Sequence, residues 1–239
     1  MISKEQKEGR CTFVTITDTG VNHRIDDIPN QDSVGFKINS DSFVMAVSDG
    51  VGTCKKSEIG SKNAVTAVIS IFDEIISGVL SINNYDVAER IIYEWMKLID
   101  DESIDDYCAT LKVVMKLNDK LLLMSIGDGM LIVSSDGMYI TAPDNTSLFA
   151  NQTDCLNSKV KASDFWIDEF LLDTNVPYIV FICTDGVSNG IQENQELEFV
   201  NELEKNTKSS LLKDELEGFV INISEYSRDD RTLGVIKYE

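Results

Sequence analysis

Three apolar runs in this sequence each end on an aspartate that lies beside glycine. The runs and the motifs that follow them are 43–48 with Asp49-Gly50, 121–126 with Gly127-Asp128-Gly129, and 178–183 with Thr184-Asp185-Gly186. A short apolar run of this kind predicts a buried strand, and a glycine after it lets the backbone approach a ligand closely. We therefore predict strands that hold carboxylates at the rim of a sheet.

The order of the remaining elements predicts the fold class. Strands are predicted at 11–17, 34–38, 42–48, 109–116, 121–126, 130–134, 138–141, 165–172, 178–183 and 232–238, and helices at 57–78, 85–99, 194–204 and 208–226. Such grouped blocks are typical of an α+β fold with antiparallel hairpins, not of alternating βαβ units. We expect two antiparallel β-sheets packed as a β-sandwich, with helix pairs on the outer faces.

The domain organisation is expected to be simple. Residues 1–10 are polar and are predicted to be a short flexible segment, and 11–239 a single domain. No linker or internal repeat is visible. The segment 142–163 has no predicted element, and we expect it to form part of a substrate-facing surface because long irregular segments are often functional.

Charge and apolar patterning exclude several classes of protein. The net charge is −20, from 41 acidic and 21 basic residues, which disfavours nucleic acid and anionic membranes as partners. No apolar run reaches the length of about 20 residues that a membrane span needs, and the polar N-terminus does not resemble a targeting peptide. We expect a cytoplasmic protein.

The five cysteines do not predict a zinc site or a disulfide framework, because they are widely spaced and form no Cys-x-x-Cys pair. Cys11, Cys108 and Cys183 lie in apolar runs and are predicted core residues. Cys54 lies beside the Asp49-Gly50 loop, without an obvious histidine to activate it as a nucleophile.

The aspartates at strand ends predict a cation site. If neighbouring strands bring Asp49, Asp128 and Asp185 together, their like charges are unfavourable unless a cation binds among them. Oxygen ligands without histidine or cysteine favour Mg²⁺ or Mn²⁺.

Five motifs in order resemble the metal-dependent protein phosphatases, the protein phosphatase 2C family. They are Asn30-Gln31-Asp32-Ser33, Ser48-Asp49-Gly50-Val51-Gly52, Gly127-Asp128-Gly129, Thr184-Asp185-Gly186-Val187 and Arg228-Asp229-Asp230-Arg231-Thr232. Gly20-Val21-Asn22-His23 and Phe149-Ala150-Asn151-Gln152-Thr153 are similar to a mostly bacterial branch.

The resemblance implies a centre with two Mn²⁺ or Mg²⁺ ions. By that likeness Asp49 bridges both metals and the Gly50 carbonyl binds one of them. Asp185 and Asp229 complete the coordination of the second metal, and Asp32 holds a metal-bound water. Asp128 matches a position that, with the Asp185 position, binds a third metal in bacterial members.

The sequence also departs from the family pattern. Gln31 stands where the family often has Glu, Val51 where many members have a catalytic histidine, and Asn189 where many have Asp. Asp27 stands where many members have a phosphate-binding arginine, so His23 and Arg24 are candidates for the missing catalytic roles.

The predicted function is hydrolysis of phosphomonoesters on serine and threonine of a phosphorylated protein, opposing a serine/threonine kinase in signalling. A protein nucleophile is not needed, because metals supply an activated water. Two alternatives stay open at this point: a pseudophosphatase that uses the same fold as a binding or regulatory module, and a phosphatase for small phosphorylated metabolites.

Overall fold

Most strands and the longer helices of the fold have bounds that agree closely with the predicted ones. The computed structural model describes residues 1–79, 84–143, 154–173 and 175–239. The strands are Ile2–Glu8 (β1), Cys11–Asp18 (β2), Ser33–Asn39 (β3), Ser42–Ser48 (β4), Leu111–Leu117 (β5), Lys120–Ile126 (β6), Met130–Ser135 (β7), Met138–Thr141 (β8), Trp166–Leu171 (β9), Tyr178–Cys183 (β10) and Arg231–Tyr238 (β11). The α-helices are Val21–Asp26 (α1), Ser57–Ile76 (α2), Asn84–Ile99 (α3), Asp185–Ser188 (α4), Glu196–Lys205 (α5) and Leu212–Ile223 (α6).

The strands form two antiparallel sheets. One has six strands in the order β1-β2-β11-β10-β7-β8, and the other has five in the order β3-β4-β5-β6-β9. Every pairing within the two sheets is antiparallel. The predicted α+β class with two antiparallel sheets is confirmed.

The chain divides into two compact units, each containing one sheet. The first unit comprises Met1–Asn30, Gly129–Ala142 and Asp173–Glu239. Its core joins apolar side chains of β2, β10 and β11 to those of α5 and α6. Phe181 of β10 meets Phe199 of α5 edge to face, with ring centroids 5.6 Å apart, a favoured aromatic geometry.

The second unit comprises Gln31–Asp128 and Pro143–Leu172. Its core joins β4, β5 and β6 to α2 and α3. Trp95 of α3 is fully buried, and its indole Nε1 donates a hydrogen bond to the Gly60 carbonyl of α2 at 3.0 Å. A Cβ on Gly60 would lie 1.8 Å from the Tyr107 carbonyl oxygen, so only glycine allows α2 to pack here.

No strand was predicted within residues 1–10, but Ile2–Glu8 forms β1. β1 pairs with β2 along its whole length, from Ile2 opposite Thr17 to Glu8 opposite Cys11. Its side chains are mostly exposed, because β1 is an edge strand held by backbone hydrogen bonds, not by an apolar face. The single domain over 11–239 stays a prediction.

Two further segments differ from their prediction or fall outside the described residues. The predicted loop after β2 contains α1. Of the segment 142–163, residues 144–153 lie outside the described residues, and with them the motif at 149–153. The rest of that segment includes an isolated bridge between Ala109 and Leu156. In the parts of the chain that the structure describes, no helix combines the length and apolarity that a membrane crossing needs.

Candidate metal centre

Three predicted site residues of the second unit lie at one end of the five-stranded sheet. Asp49 directly follows β4, and Asp32 directly precedes β3, whose Ser33 pairs with Ser48. Asp128 follows β6, which runs parallel to β4 because both pair antiparallel with β5. Strand order therefore places these three carboxylates at the same sheet end, as the sequence predicts for Asp49 and Asp128.

Thr110 fixes the backbone on both sides of the Asp49 side chain. The Thr110 N–H donates to the Asp49 carbonyl at 2.8 Å, and the Asp49 N–H donates to Thr110 Oγ1 at 3.1 Å. The Ser48 hydroxyl adds a hydrogen bond to the Thr110 carbonyl at 2.5 Å. No role could be predicted for Thr110 from the sequence, because only the pairing of β4 with β5 brings its hydroxyl to Asp49.

Gly50 lies in a tight backbone cradle. Its N–H donates to the Gln31 carbonyl at 3.1 Å, which also accepts the Ser61 hydroxyl of α2 at 2.5 Å. A Cβ on Gly50 would lie 2.7 Å from the Ser57 carbonyl oxygen and 2.8 Å from that of Gln31. Glycine is therefore required for the close approach of the loop after β4 to the start of α2.

Asp128 is set between two glycines with left-handed backbone, Gly127 and Gly129, each at φ +86°. The ammonium of Lys112 donates to the Gly127 carbonyl at 2.6 Å and to the Ser125 hydroxyl at 2.9 Å. Lys112 is only 2% exposed, so a buried cation anchors the turn that carries Asp128. Sequence reasoning treated Lys112 only as a strand residue.

The first unit places its own predicted residues at one end of the six-stranded sheet. β10 ends at Cys183, which pairs with Leu233 of β11, and Asp185 opens α4 two residues later. Asp229 lies two residues before β11, which begins at Arg231 opposite Asp18. Asp185 and Asp229 therefore lie at the same end of neighbouring strands.

Two glycines, Gly20 and Gly186, pack closely against the turn Asp229-Asp230. A Cβ on Gly20 would lie 2.5 Å from both the Arg228 oxygen and the Asp229 carbonyl carbon, and one on Gly186 would lie 1.9 Å from the Asp230 oxygen. The Gly20 N–H also donates to the Asp230 carboxylate at 2.6 Å. The first turn of α4 and the start of α1 thus both contact this turn directly.

His23 and Arg24, the predicted catalytic residues of α1, both contact carboxylates of the first unit. His23 Nδ1 lies 2.9 Å from Asp230 Oδ2. Arg24 donates to Asp18 Oδ1 at 2.5 Å, and the fully buried Arg231 donates to Asp18 Oδ2 at 2.6 Å. These contacts hold α1 and the Asp229-Asp230 turn to the sheet. The catalytic roles of His23, Arg24 and Asp32 stay predictions.

The Asp18 carboxylate is stabilised in its charged form. Burial alone raises the pKa of Asp18, but the hydrogen bonds from Arg231 and the amino group of Met1, with the charge of Arg24, outweigh burial and lower the pKa. An ion pair whose charges are this well hydrogen-bonded contributes stability as long as both partners stay charged.

The chemistry of the predicted donors fits a hard divalent cation. The predicted metal ligands offer only carboxylate and carbonyl oxygens, which Mg²⁺ and Mn²⁺ prefer. Within the ranges that the structure describes, no group of three or more His, Cys, Asp or Glu residues is close enough to hold an ion. Metal binding stays a prediction for Asp49, Gly50, Asp128, Asp185 and Asp229.

Comparison with known proteins identifies a family whose model matches this chain, and solved structures that share its fold. The family model described as Protein phosphatase 2C matches residues 19–220. No curated protein matches the sequence significantly.

Solved structures share the fold at low sequence identity. They include RsbX in complex with magnesium (TM-score 0.68, 13% identity, 100% of each chain covered) and the S. agalactiae serine/threonine phosphatase (0.70, 15%, 96% of this chain and 100% of that one). A third is the catalytic domain of the serine/threonine protein phosphatase PstP in complex with two manganese ions (0.66, 14%, 95% and 97%). Identities this low show a shared fold alone.

Proposed function

Because this chain belongs to the protein phosphatase 2C family, we propose that it is a serine/threonine protein phosphatase dependent on Mn²⁺ or Mg²⁺. The observation that supports the proposal is the placement of the family's aspartates. In each unit they lie at one end of the sheet, on turns fixed by close backbone contacts and hydrogen bonds.

The residues proposed to hold metal are Asp49, Gly50 and Asp128 of the second unit, and Asp185 and Asp229 of the first unit. Asp49, Asp185 and Asp229 would hold the ions through their carboxylates, and Gly50 through its backbone carbonyl. Asp128 and Asp185 are the residues proposed for a further ion, as the likeness to bacterial members suggests. The magnesium bound to RsbX and the two manganese ions bound to PstP support this choice of metal by likeness of fold.

When bound, the ions would supply an acidified water as nucleophile and would neutralise charge on the phosphoryl oxygens. The residues of the chain position the reacting groups. Asp32 orients the attacking water through its carboxylate, and its neighbour Gln31 is held by Gly50 and Ser61. His23 supports the Asp229-Asp230 turn by its contact with Asp230, so we assign it a positioning role, and Arg24 likewise through Asp18.

The proposed substrate is a phosphorylated protein, with the chain opposing a serine/threonine kinase in cytoplasmic signalling. A metal-activated water can hydrolyse phosphoserine and phosphothreonine esters without a protein nucleophile.

The decisive experiment measures metal-dependent hydrolysis by the purified chain. We expect release of phosphate from an aryl phosphate and from a phosphothreonine peptide with added Mn²⁺ or Mg²⁺, and none with EDTA. Asp49→Asn and Asp185→Asn should each abolish activity. The matched control is Asp41→Asn, because Asp41 is exposed in the turn at the opposite end of β3 and β4.

Three outcomes would overturn all or part of the proposal. Activity that persists in EDTA, or in both variants, would exclude catalysis by these metal ligands. A folded chain that neither hydrolyses phosphate esters nor binds Mn²⁺ by calorimetry would instead be a regulatory module of the same fold. Hydrolysis of small phosphorylated metabolites, without hydrolysis of the phosphothreonine peptide, would mean that the substrates are metabolites and not phosphorylated proteins.

A further inference from the structure

A cleft of about 490 Å³ lies in the first unit, at one end of the six-stranded sheet. Its walls come from the turn between β1 and β2, from the segment that leads into α6, and from the residue that follows β11. The lining residues are Lys7, Gly9, Arg10, Cys11, Thr12, Lys208, Ser209, Ser210 and Glu239. We call this feature the hairpin cleft.

The hairpin cleft and the predicted metal ligands of this unit lie at opposite ends of the sheet. Cys11 pairs with Tyr238 at the cleft, whereas Arg231, at the other end of β11, follows Asp229 by two residues. The eight residues of β11 span about 23 Å at about 3.3 Å per residue. A small ligand in the cleft is therefore well separated from the Asp229 turn.

The charge of the hairpin cleft is opposite to that of the whole chain. Lys7, Arg10 and Lys208 oppose one carboxylate side chain, that of Glu239, among the described residues that line the cleft, while the chain carries a net charge of −20. Glu239 is part of the wall, because its Oε1 accepts a hydrogen bond from the Ser209 N–H at 3.2 Å. An excess of positive charge in a cleft favours an anionic ligand.

Arg10 is held in place at the hairpin cleft. Its guanidinium carbon lies 4.4 Å from the centroid of the Tyr238 ring, and its Nη1 donates to the Tyr238 hydroxyl at 3.0 Å. Its Nε donates to the Glu239 backbone oxygen. Tyr238 stacks in turn on the buried Tyr178, with ring centroids 4.9 Å apart. A guanidinium ordered in this way loses little conformational entropy when an anion binds beside it.

Ser209 adds a buried hydroxyl to the wall of the hairpin cleft. The residue is 9% exposed and lines the cleft, and its Oγ makes no hydrogen bond within the described parts of the chain. A buried polar group in this state costs free energy. A ligand oxygen that accepts the hydroxyl proton would remove that cost.

A buried lysine holds the loop between α5 and α6 that carries Ser209. Lys237 of β11 is 4% exposed, and its ammonium donates to the carbonyls of Leu203, Glu204 and Thr207 at 2.8, 2.6 and 2.5 Å. These carbonyls lie in the last turn of α5 and just after it. The wall of the cleft is therefore fixed to the sheet before any ligand binds.

We propose that the hairpin cleft binds a small molecule that carries phosphoryl groups and has about the size of a nucleotide. The proposal goes beyond phosphatase activity and does not depend on it. A volume of about 490 Å³ falls within the range of about 300–1,000 Å³ that is usual for small-molecule sites. Arginine and lysine are the side chains that bind phosphate groups in proteins.

The test measures binding of pyrophosphate and of ATP to the full chain by calorimetry. The buffer contains EDTA and no phosphate, so that divalent ions do not occupy the proposed metal centre. We expect one saturable site with a dissociation constant below about 1 mM. Tighter binding of ATP would indicate that the cleft also holds the nucleoside, and equal binding would indicate a site for phosphoryl groups alone.

Three variants and one control assign the site. Arg10→Gln and Lys208→Gln should each weaken binding by about 10-fold, because each removes a charge that faces the ligand. Ser209→Ala should also weaken binding but keep the urea midpoint, because the hydroxyl has no partner to lose in the described chain. The control Lys4→Gln removes the same charge from an exposed position of β1 that does not line the cleft, and it should leave binding unchanged.

Four results would overturn the proposal. The first is the absence of saturable binding of either probe at millimolar concentration. The second is equal weakening by Lys4→Gln and Lys208→Gln, which would show a general attraction to surface charge. The third is binding that is lost in Asp185→Asn but kept in Arg10→Gln, which would place the ligand at the predicted metal centre. The fourth is tighter binding of a phosphothreonine peptide than of both probes. Failure of the phosphatase assay leaves this test intact, because binding is measured without metal.

Discussion

At the scale of single residues, two glycines set the position of the Asp229-Asp230 turn in the first unit. Gly20 and Gly186 approach this turn so closely that neither can carry a side chain without moving it. The carboxylate of Asp230 is then held by the Gly20 N–H and by His23. The geometry of the Asp229 side chain therefore depends on residues that do not themselves offer ligand atoms.

Gly186→Ala tests this dependence. A Cβ at 1.9 Å from the Asp230 oxygen must push α4 from the turn, and overpacking of this kind costs about 1–3 kcal/mol. We expect a lower urea midpoint and a fall in kcat/KM of about 10-fold to 100-fold, because small misplacements impair positioning.

The control is Gly218→Ala on α6, where a Cβ meets nothing within 4 Å. This variant should keep its activity and gain about 0.5–1 kcal/mol in helix stability. Equal behaviour of the two variants would refute the role of the Gly186 contact.

The pair of Asp18 and Arg231 predicts a specific pH dependence of stability. The lowered pKa of Asp18 in the folded chain means that its contribution is complete above the unfolded value of about 3.9. The contribution is lost as the pH falls through the lower folded pKa.

Asp18→Asn should lose about 3–5 kcal/mol at neutral pH, because the fully buried Arg231 keeps its charge without a charged partner. The free energy of unfolding of this variant should also fall less between pH 7 and pH 3, because the protonation of Asp18 no longer contributes. Urea unfolding between pH 7 and pH 3 measures both effects, with Asp41→Asn as the exposed control. An unchanged midpoint in Asp18→Asn would show that Arg231 does not need this partner.

At the scale of elements, the strands predicted best from the sequence are those stabilised by burial of their own apolar side chains. β4 and β10 are continuous apolar runs and are buried along their whole length, so their ends at Asp49 and near Asp185 could be located. β1 is polar and exposed and exists because β2 pairs with it. The six-residue α1 buries no side chain, and its contacts with Asp230 and Asp18 arise only in the folded chain.

In the candidate site, too, some residues could be predicted from the sequence and others could not. Aspartates at strand ends could be identified from the pattern of apolar runs and glycines. Their supports could not be identified, because Thr110 reaches Asp49 across a β-ladder and Lys112 reaches Gly127 across another. Such cross-strand partners depend on register, and a single sequence does not fix the register of two strands.

Substitution of Thr110 tests whether the pairing of β4 with β5 holds the Asp49 loop in place. Thr110→Val removes the oxygen that accepts the Asp49 N–H, and an unsatisfied donor costs about 1–3 kcal/mol. We expect weaker Mn²⁺ binding by calorimetry and a lower kcat/KM, while Thr110→Ser, which keeps the hydroxyl, should stay near the unmodified chain. If Val and Ser bind Mn²⁺ equally well, the hydroxyl does not support the Asp49 loop.

At the scale of the whole molecule, the dominant property is the net charge of −20. Among the described residues four acidic and four basic side chains are buried: Asp18, Asp32, Glu94, Asp230, Lys112, Lys116, Arg231 and Lys237. Among these residues the two signs are buried in equal numbers, so the excess of acidic charge is carried by side chains that are not buried. A field of this sign attracts cations and repels acidic peptides before any contact forms.

This charge predicts a preference among phosphopeptides. At low ionic strength we expect kcat/KM for a phosphothreonine peptide flanked by Lys and Arg to exceed that for the same peptide flanked by Asp and Glu by about 10-fold or more, through faster association. At about 1 M salt the screening length falls to about 3 Å, and the two values should converge. The aryl phosphate, measured at each salt concentration, corrects for effects of salt on the chemical step. A preference that persists at high salt would mean that individual side chains, and not the overall charge, select the substrate. Equal values of kcat/KM at low salt would show that charge does not select the substrate.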